Sequence, residues 1–540
     1  MTTTDVPSSI PEAASALRSG RTSAAALLES CLERADRLDA TLGVYLARFD
    51  DAARAAAARA DARFAQGVDA GPLQGIPIAV KDIIATDEGP TTAQSLVLDP
   101  AWGRRGDAPV VARLRAAGAV IIGKTSTMEF AIGLPDVHKP FPVPRNPWDL
   151  STWPGGSSSG TAAGVAAGLF PAGLGTDTGG SIRIPAAMCG ISGLKPTFGR
   201  VPKAGCVPLG FSYDHIGPMA RSAWDCALLL NVLAGPDPED HQSLGAAVPD
   251  HTRALTGSLA GARVGVARVH DAPGVPTDAL LGAVFESALE VLAGAGAQLC
   301  EVQIPWYREL EAVTLVGSSA EAFAYHRADL ASRWDDYGAP ARAAIVLGGL
   351  YRADDYVQAQ RVRRVAQIDV AALLREVDVI VTPTVTTGAP TFDGLDPATV
   401  MVAIQTMAWN ALGLPVLSVP MGFGASGLPL GLQIAGAALD EAMVLRVGDA
   451  FQRRTEWHRR NAPLLGEIRP PDIVAPSTSP VADVADRAVE ALLSSTGIRP
   501  DPAERTAIVA AYPHLRAAAD RLHEIAAASP RDPAPVFRAV

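Results

Sequence analysis

Three stretches of the chain hold residue types that could open an acyl bond. Gly75-Ile-Pro-Ile-Ala-Val-Lys81-Asp82 puts a lysine at the end of an apolar strand. Burial disfavours an ammonium, so the pKa of such a lysine falls and its neutral amine can act as a base. A lysine snorkelling out of a strand end reads the same way. Pro154-Gly155-Gly156-Ser157-Ser158-Ser159-Gly160 gathers serines in a glycine loop ahead of a helix from Thr161 to Ala167. Those hydroxyls could take part in the chemistry or could merely cap the helix. Gly175-Thr-Asp-Thr178-Gly179-Gly180-Ser181-Ile-Arg183 sets Ser181 behind two glycines. Amides there are unobstructed by Cβ atoms, as an oxyanion hole requires, although a structural turn needs the same freedom. Asp177 and Arg183 read most simply as a buried ion pair holding the loop.

Two other strings match well-known motifs without their context. Gly118-Ala-Val-Ile-Ile-Gly123-Lys124-Thr125 fits a phosphate loop, but the four residues inside it are strand formers where a flexible backbone is needed. Gly156-Ser157-Ser158-Ser159-Gly160 fits a nucleophile elbow, which should follow a buried strand; the residues before it, 146–154, are loop formers.

The elements that must position these residues follow from the apolar pattern. Residues 10–66 carry helical spacing, with Ala25, Leu28, Cys31 and Leu32 on one face, and two or three antiparallel helices fit within an N-terminal helical region, 1–70. From Leu73, short apolar runs (Ile76–Val80, Val120–Ile122, Val264–Val266, Val377–Thr382) alternate with helical stretches such as Pro109–Ala117 and Asp278–Ala293. That texture predicts an α/β core, 71–467, built on a buried mixed or parallel sheet. Residues 155–210, dense in small residues, read as a large buried loop region. A proline-rich linker, 468–480, leads to a small helical domain, 481–540, with helices over Val481–Ser494 and Pro502–Ala528.

Bulk properties narrow the chemistry. The 540 residues are 48% hydrophobic and 19% charged, with a net charge of −11 and dispersed basic residues, which argues against a nucleic-acid partner. No apolar run spans a bilayer and no secretory leader is read, so a cytoplasmic protein without membrane attachment is expected. The five cysteines form no paired motif and the nine histidines show no ligand spacing, so neither disulfides nor a metal is expected.

The three stretches, in this order and with these flanks, resemble the amidase signature family over residues 10–465. The matching segments are LQGIPIAVKDII (73–84), VVARLRAAGAVIIGKTSTMEFAIG (110–133), NPWDLSTWPGGSSSGTAAGVAAG (146–168) and GTDTGGSIRIPAAMCGISGLKPTFGRV (175–201). VDVIVTPT (377–384), NALGLPVLSVPMGF (410–423) and GLPLGLQIAG (427–436) look like the family's C-terminal core. The resemblance implies an open mixed sheet of about ten or eleven strands covered by helices. It also implies Lys81 as base, Ser157 as the bridging serine held by a cis peptide, and Ser181 as nucleophile. The amides of Thr178, Gly179, Gly180 and Ser181 would hold the oxyanion, and no cofactor is needed. One departure is Ser159, which stands where many members have glycine.

The resemblance extends to the glutaminase component of glutamyl-tRNA amidotransferase, which holds the charged ends of glutamine with an Arg and an Asp. Local alignment puts Ala343 or Ala344 and Ala403 at those positions, which would leave a charged amino acid without compensation for desolvation. Residues 481–540 look like the small helical partner of carboxybiuret hydrolase, fused here behind the enzyme. That points to a stand-alone hydrolase of small linear amides, ureides or carbamates, the alternative being one component of an amidotransferase complex. The tail reads equally well as only a dimerisation or stabilising element, and a homodimer is one arrangement it would allow. Met128, Phe130, Trp153, Ile404, Met407 and Trp409 are candidates for an apolar substrate pocket, core packing being the plainer reading of each.

Overall fold

The structure is a computed structural model that describes residues 9–103, 106–463 and 484–528. Among them the short apolar runs form one sheet of eleven strands: β1 (Tyr45–Arg48), β2 (Pro77–Lys81), β3 (Val120–Thr125), β4 (Ala172–Asp177), β5 (Ser192–Lys195), β6 (His215–Ala220), β7 (Arg263–Val266), β8 (Gln298–Glu301), β9 (Val379–Pro383), β10 (Val416–Phe423) and β11 (Pro429–Gly436). Their order is β1-β3-β2-β4-β6-β5-β10-β11-β9-β7-β8. The sheet is mixed: β3, β2 and β4 run parallel, as do β9, β7 and β8, while the pairs between these groups are antiparallel. Every residue of β2, β3, β4, β6, β9 and β11 is buried, so helices cover both faces, as continuous apolar strands require.

The N-terminal region is three helices, Ile10–Arg18, Ala24–Leu42 and Asp50–Ala65, and it also contributes β1 to the sheet edge, antiparallel to β3. The buried stripe of the second helix runs through Ala24, Leu27, Leu28, Cys31, Leu32 and Ala35; Ala25 faces out. Residues 155–210 are not a loop region. They contain the helix Ser159–Ala166, β4, the helix Arg183–Cys189 and β5. Small side chains there serve close packing: a Cβ at Gly160 would fall 2.5 Å from the Val44 carbonyl oxygen, and one at Gly164 2.2 Å from the Phe170 ring.

The linker 468–480 and the chain end beyond 528 lie outside the described residues. Val484–Thr496 and Pro502–Ala528 are helices that pack on each other as a C-terminal hairpin. It packs on the helices Tyr307–Ser332, Ala339–Leu347 and Ala353–Glu376. Ala519 and Leu522 are fully buried there, Arg516 pairs with Asp355 at 2.5 Å, and Gln358 donates to the Leu522 carbonyl at 2.8 Å.

Candidate active site

β2 and β4 are parallel neighbours, with Val80 opposite Leu174, so their carboxyl ends finish side by side. Lys81, the last residue of β2, is thereby set against Thr176 near the end of β4. Its Nζ donates to Thr176 Oγ1 at 2.8 Å and to Ser157 Oγ at 2.7 Å. Among the described residues no carboxylate pairs with the amine. Burial pulls its pKa from the usual 10.5 down to about 7, against smaller upward pulls from Cys206, Asp177 and Asp214. The Gly156–Ser157 peptide is cis.

The three clustered serines divide their work. Ser158 ties the cluster to the neighbouring turn: its amide donates to the Ser181 carbonyl at 3.1 Å, and its hydroxyl accepts from the Thr176 amide at 3.2 Å. Ser159 donates to the Gly155 carbonyl at 2.6 Å. Ser157 alone of the three presents its hydroxyl to Lys81. Ser181 is partly exposed, and among the described residues its hydroxyl has no hydrogen-bond partner.

The turn 178–181 leaves β4 with its four amides directed to no acceptor among the described residues. Gly180 has φ +138°, and a Cβ there would fall 2.2 Å from Thr406 Oγ1, so only glycine fits. Thr406 Oγ1 donates to the Gly179 carbonyl at 2.5 Å, and Thr178 Oγ1 to Asp214 at 2.5 Å. Beside Thr176 and Thr178 lies a cavity of about 210 Å³ that is also lined by Lys203, Cys206 and Phe211.

Beneath the turn is a buried polar knot. Arg183 and Asp177 meet in a two-point contact at 2.9 Å with neither side chain exposed, which is the pair expected from the sequence. The other guanidinium hydrogens go to the Thr406 carbonyl, Gln433 and Asn410, so all five N–H groups are used. Burial alone would raise the Asp177 pKa, but the Arg183 charge and hydrogen bonds hold it far below the ordinary carboxylate value. Behind it His215 Nδ1 lies 3.1 Å from the Asp177 carbonyl, and Lys195 reaches His215 Nε2 at 3.3 Å.

On the Gly156 and Gly179 side of the turn is a packed apolar cluster. Met128, Trp153, Ile404 and Met407 join Ile184, Met188 and Phe392 in one cluster. A Cβ at Gly156 would touch Trp153 Cζ2 at 2.8 Å and Met128 Cγ at 3.1 Å; one at Gly179 would meet Met407 Cγ at 3.7 Å. The cluster therefore abuts both glycine turns. Phe130 and Trp409 lie outside it. Phe130 packs edge-on against His326 with ring centroids 4.3 Å apart, and Trp409 sits in the helical core with Val313, Val316 and Leu412. Each belongs to a turn or helix whose neighbour reaches the cluster, yet its own ring packs in another part of the core.

Thr176, Asn410 and Gln433 were not singled out in the sequence. Thr176 and Asn410 stand inside the matching segments, and only the strand register shows what their side chains hold. Lys124 is a strand residue of β3, paired with Asp82 at 3.1 Å and donating to the Ile84 carbonyl at 2.7 Å, so the phosphate-loop string is part of the sheet. Among the described residues no strand leads directly into Ser157, which removes the elbow.

The Amidase family profile matches residues 26–445. A curated relative from Chloroflexus aurantiacus, the glutamyl-tRNA(Gln) amidotransferase component of type A, is 42% identical over 483 residues, covering 84% of this chain and 98% of its own. Among solved structures, one described as a vestigial protein complex revealing the origins of an s-triazine catabolic enzyme superposes with a TM-score of 0.77 at 33% identity, covering 82% of this chain and 98% of that one. The peptide amidase of Stenotrophomonas maltophilia superposes with a TM-score of 0.71 at 30% identity, covering 87% and 99%.

Proposed function

We infer, from the premise that the chain belongs to the amidase signature family and is a hydrolase of carbon–nitrogen bonds, that it cleaves small linear amides, ureides or carbamates through Ser181, Ser157 and Lys81. The observation that carries the reading is a buried amine, near neutrality in pKa and with no carboxylate partner among the described residues, bonded to Ser157 beside Ser181.

In this reading Ser181 Oγ bonds to the substrate carbonyl carbon while its proton passes to Ser157 Oγ. The Ser157 proton passes in turn to neutral Lys81. The carbonyl electron pair moves onto oxygen, where the amides of Thr178, Gly179, Gly180 and Ser181 receive it. Collapse breaks the carbon–nitrogen bond. The departing nitrogen takes its proton from Ser157, which is refilled by the Lys81 ammonium; an amide anion would otherwise leave too slowly. Water then attacks the acyl ester, surrenders a proton along the same chain, and releases the acid and Ser181. A carbamate presents a similar carbonyl and follows the same steps.

A second reading, the glutaminase component of an amidotransferase, is favoured by the 42% identity to such proteins. Against it stand Ala343 or Ala344 and Ala403, which the sequence reading sets at the positions of the glutaminase's two charged anchors. Arg342, next in the chain, offers no substitute: it donates to Glu504 of the C-terminal hairpin at 2.5 Å. The hairpin docks on its own chain's helices, which supports a stabilising role over a dimerising one. Five free thiols support a reducing compartment, and among the described residues no helix is long and apolar enough to cross a membrane.

The purified chain, assayed alone on matched aryl and alkyl amides, carbamates and glutamine, should hydrolyse neutral members in preference to glutamine. Its kcat/KM should climb through about pH 7, because the base must be neutral and protonation below that value removes it. Glutaminase activity appearing only with added partner proteins would reverse the assignment.

A further inference from the structure

An indole N–H is a donor with no acceptor capacity, and in a protein interior it nearly always has a partner. Trp148 donates to the Cys189 carbonyl at 2.8 Å, Trp306 to Asp369 at 2.8 Å and Trp334 to Glu504 at 2.9 Å. Trp153, only 3% exposed, has no partner for Nε1 among the described residues. Trp409 shares that lack but is enclosed in the helical core.

The place of Trp153 makes its unpaired donor informative. Cζ2, two bonds from Nε1, lies against Gly156, the residue before the proposed bridging serine. The backbone is pinned: the Trp153 amide donates to the Pro390 carbonyl at 2.9 Å, and Thr152 bridges to Thr391. Met128, which also lies against Gly156, and Ile184, Met188 and Ile404 belong to the same buried cluster and supply hydrocarbon and thioether surface. Arg145, which stacks on Phe392 at the edge of this cluster, donates to the Leu150 carbonyl at 2.8 Å.

Resting on the amidase reading above, we propose that Trp153 is a specificity-determining residue whose Nε1–H donates to a neutral acceptor, a second carbonyl or an ether oxygen, on an otherwise apolar amide or carbamate. A neutral acceptor suits the surroundings, because a carboxylate would lose its hydration against the apolar side chains of the cluster, while Arg145 at its edge is already engaged with the Leu150 carbonyl. The acceptor lies near the scissile carbonyl, since the indole edge is one residue from Ser157.

The test compares hexanamide with its 3-, 4- and 5-oxo counterparts, using wild type and Trp153→Phe. In wild type at least one oxo amide should have a kcat/KM about tenfold above hexanamide, the scale of one well-placed hydrogen bond. Trp153→Phe should erase that preference through KM, so that the ratio of oxo amide to hexanamide in kcat/KM falls to about one. Replacing Trp153 by benzothienylalanine, which keeps the ring shape and exchanges N–H for sulfur, should give the same result and serves if the phenylalanine variant folds poorly. Equal losses on all four amides, or an undiminished oxo preference, would overturn the role of the N–H while leaving the amidase reading intact. Turnover of none of them by wild type would sink both.

Discussion

The two sides of the 178–181 turn are built on opposite principles. Below it, Asp177, Arg183, Asn410 and Gln433 form a knot in which every guanidinium hydrogen has an acceptor. Beside it, Met128, Trp153, Ile404 and Met407 belong to a packed apolar cluster in which the Trp153 indole N–H is unpaired among the described residues. A fully satisfied buried network has one low-energy arrangement, so it fixes geometry. An apolar wall tolerates many shapes of similar volume and discriminates by size and by the few polar atoms it offers. The contrast teaches which residues should govern rate and integrity and which should govern choice of molecule.

The largest effect should come at the seam. Ser181 belongs to neither side: it is partly exposed and its hydroxyl has no partner among the described residues. Ser181→Ala should therefore lower turnover by about four to six orders of magnitude, the scale of a lost nucleophile, while the thermal midpoint stays within a degree or two of wild type. Retained turnover would reassign the nucleophile. A large fall in the midpoint would mean that Ser181 is part of the knot after all.

The knot itself is the next target. Arg183→Leu leaves the Asp177 carboxylate buried without its cation, and removing one partner of such a pair costs about 3–5 kcal/mol. Denaturant titration should show that loss as a shifted midpoint, together with a reduced kcat because Thr406 and the Gly179 carbonyl lose their anchor. Unchanged stability would erase the distinction between a structural side and a selective side.

The same contrast explains what the sequence made legible. Lys81, Ser157 and Ser181 could be singled out by type and by their glycine-rich flanks, and the structure joins Lys81 to Ser157, while their proposed roles rest on the family resemblance. The Asp177–Arg183 pair was readable too, since the two residues are neighbours in one loop. Thr176 as second partner of the lysine was not, because the parallel register of β2 and β4 decides which hydroxyl meets the amine. Four of the six pocket candidates share one apolar cluster beside the glycine turns, while Phe130 and Trp409 belong to other parts of the core. β1 was missed because four residues between two helices give too short a pattern to detect alternation. The misreading of residues 155–210 has the same root. Glycine, alanine and serine mark close approach as often as irregularity, and composition cannot separate the two.

The smallest effect should come from trimming the cluster by one methyl. Ile404→Val leaves the wall apolar and removes volume beside Met407 and Val385. As a core substitution it should cost about 0.5–1.5 kcal/mol of stability. If Ile404 only packs the core, that cost is the whole result, and the relative kcat/KM of a homologous amide series stays fixed. If the cluster receives the substrate, the optimum of the series should move toward the member one methylene longer, by roughly twofold to tenfold in relative kcat/KM, since a methylene in such a pocket is worth about 1–3 kcal/mol at most. The two outcomes differ in a ratio measured on one protein sample, so the unavoidable stability loss cannot mimic the shift. A fixed ratio would make this wall structural like the knot, and selection would then have to come from the cavity beside Thr176 and Thr178.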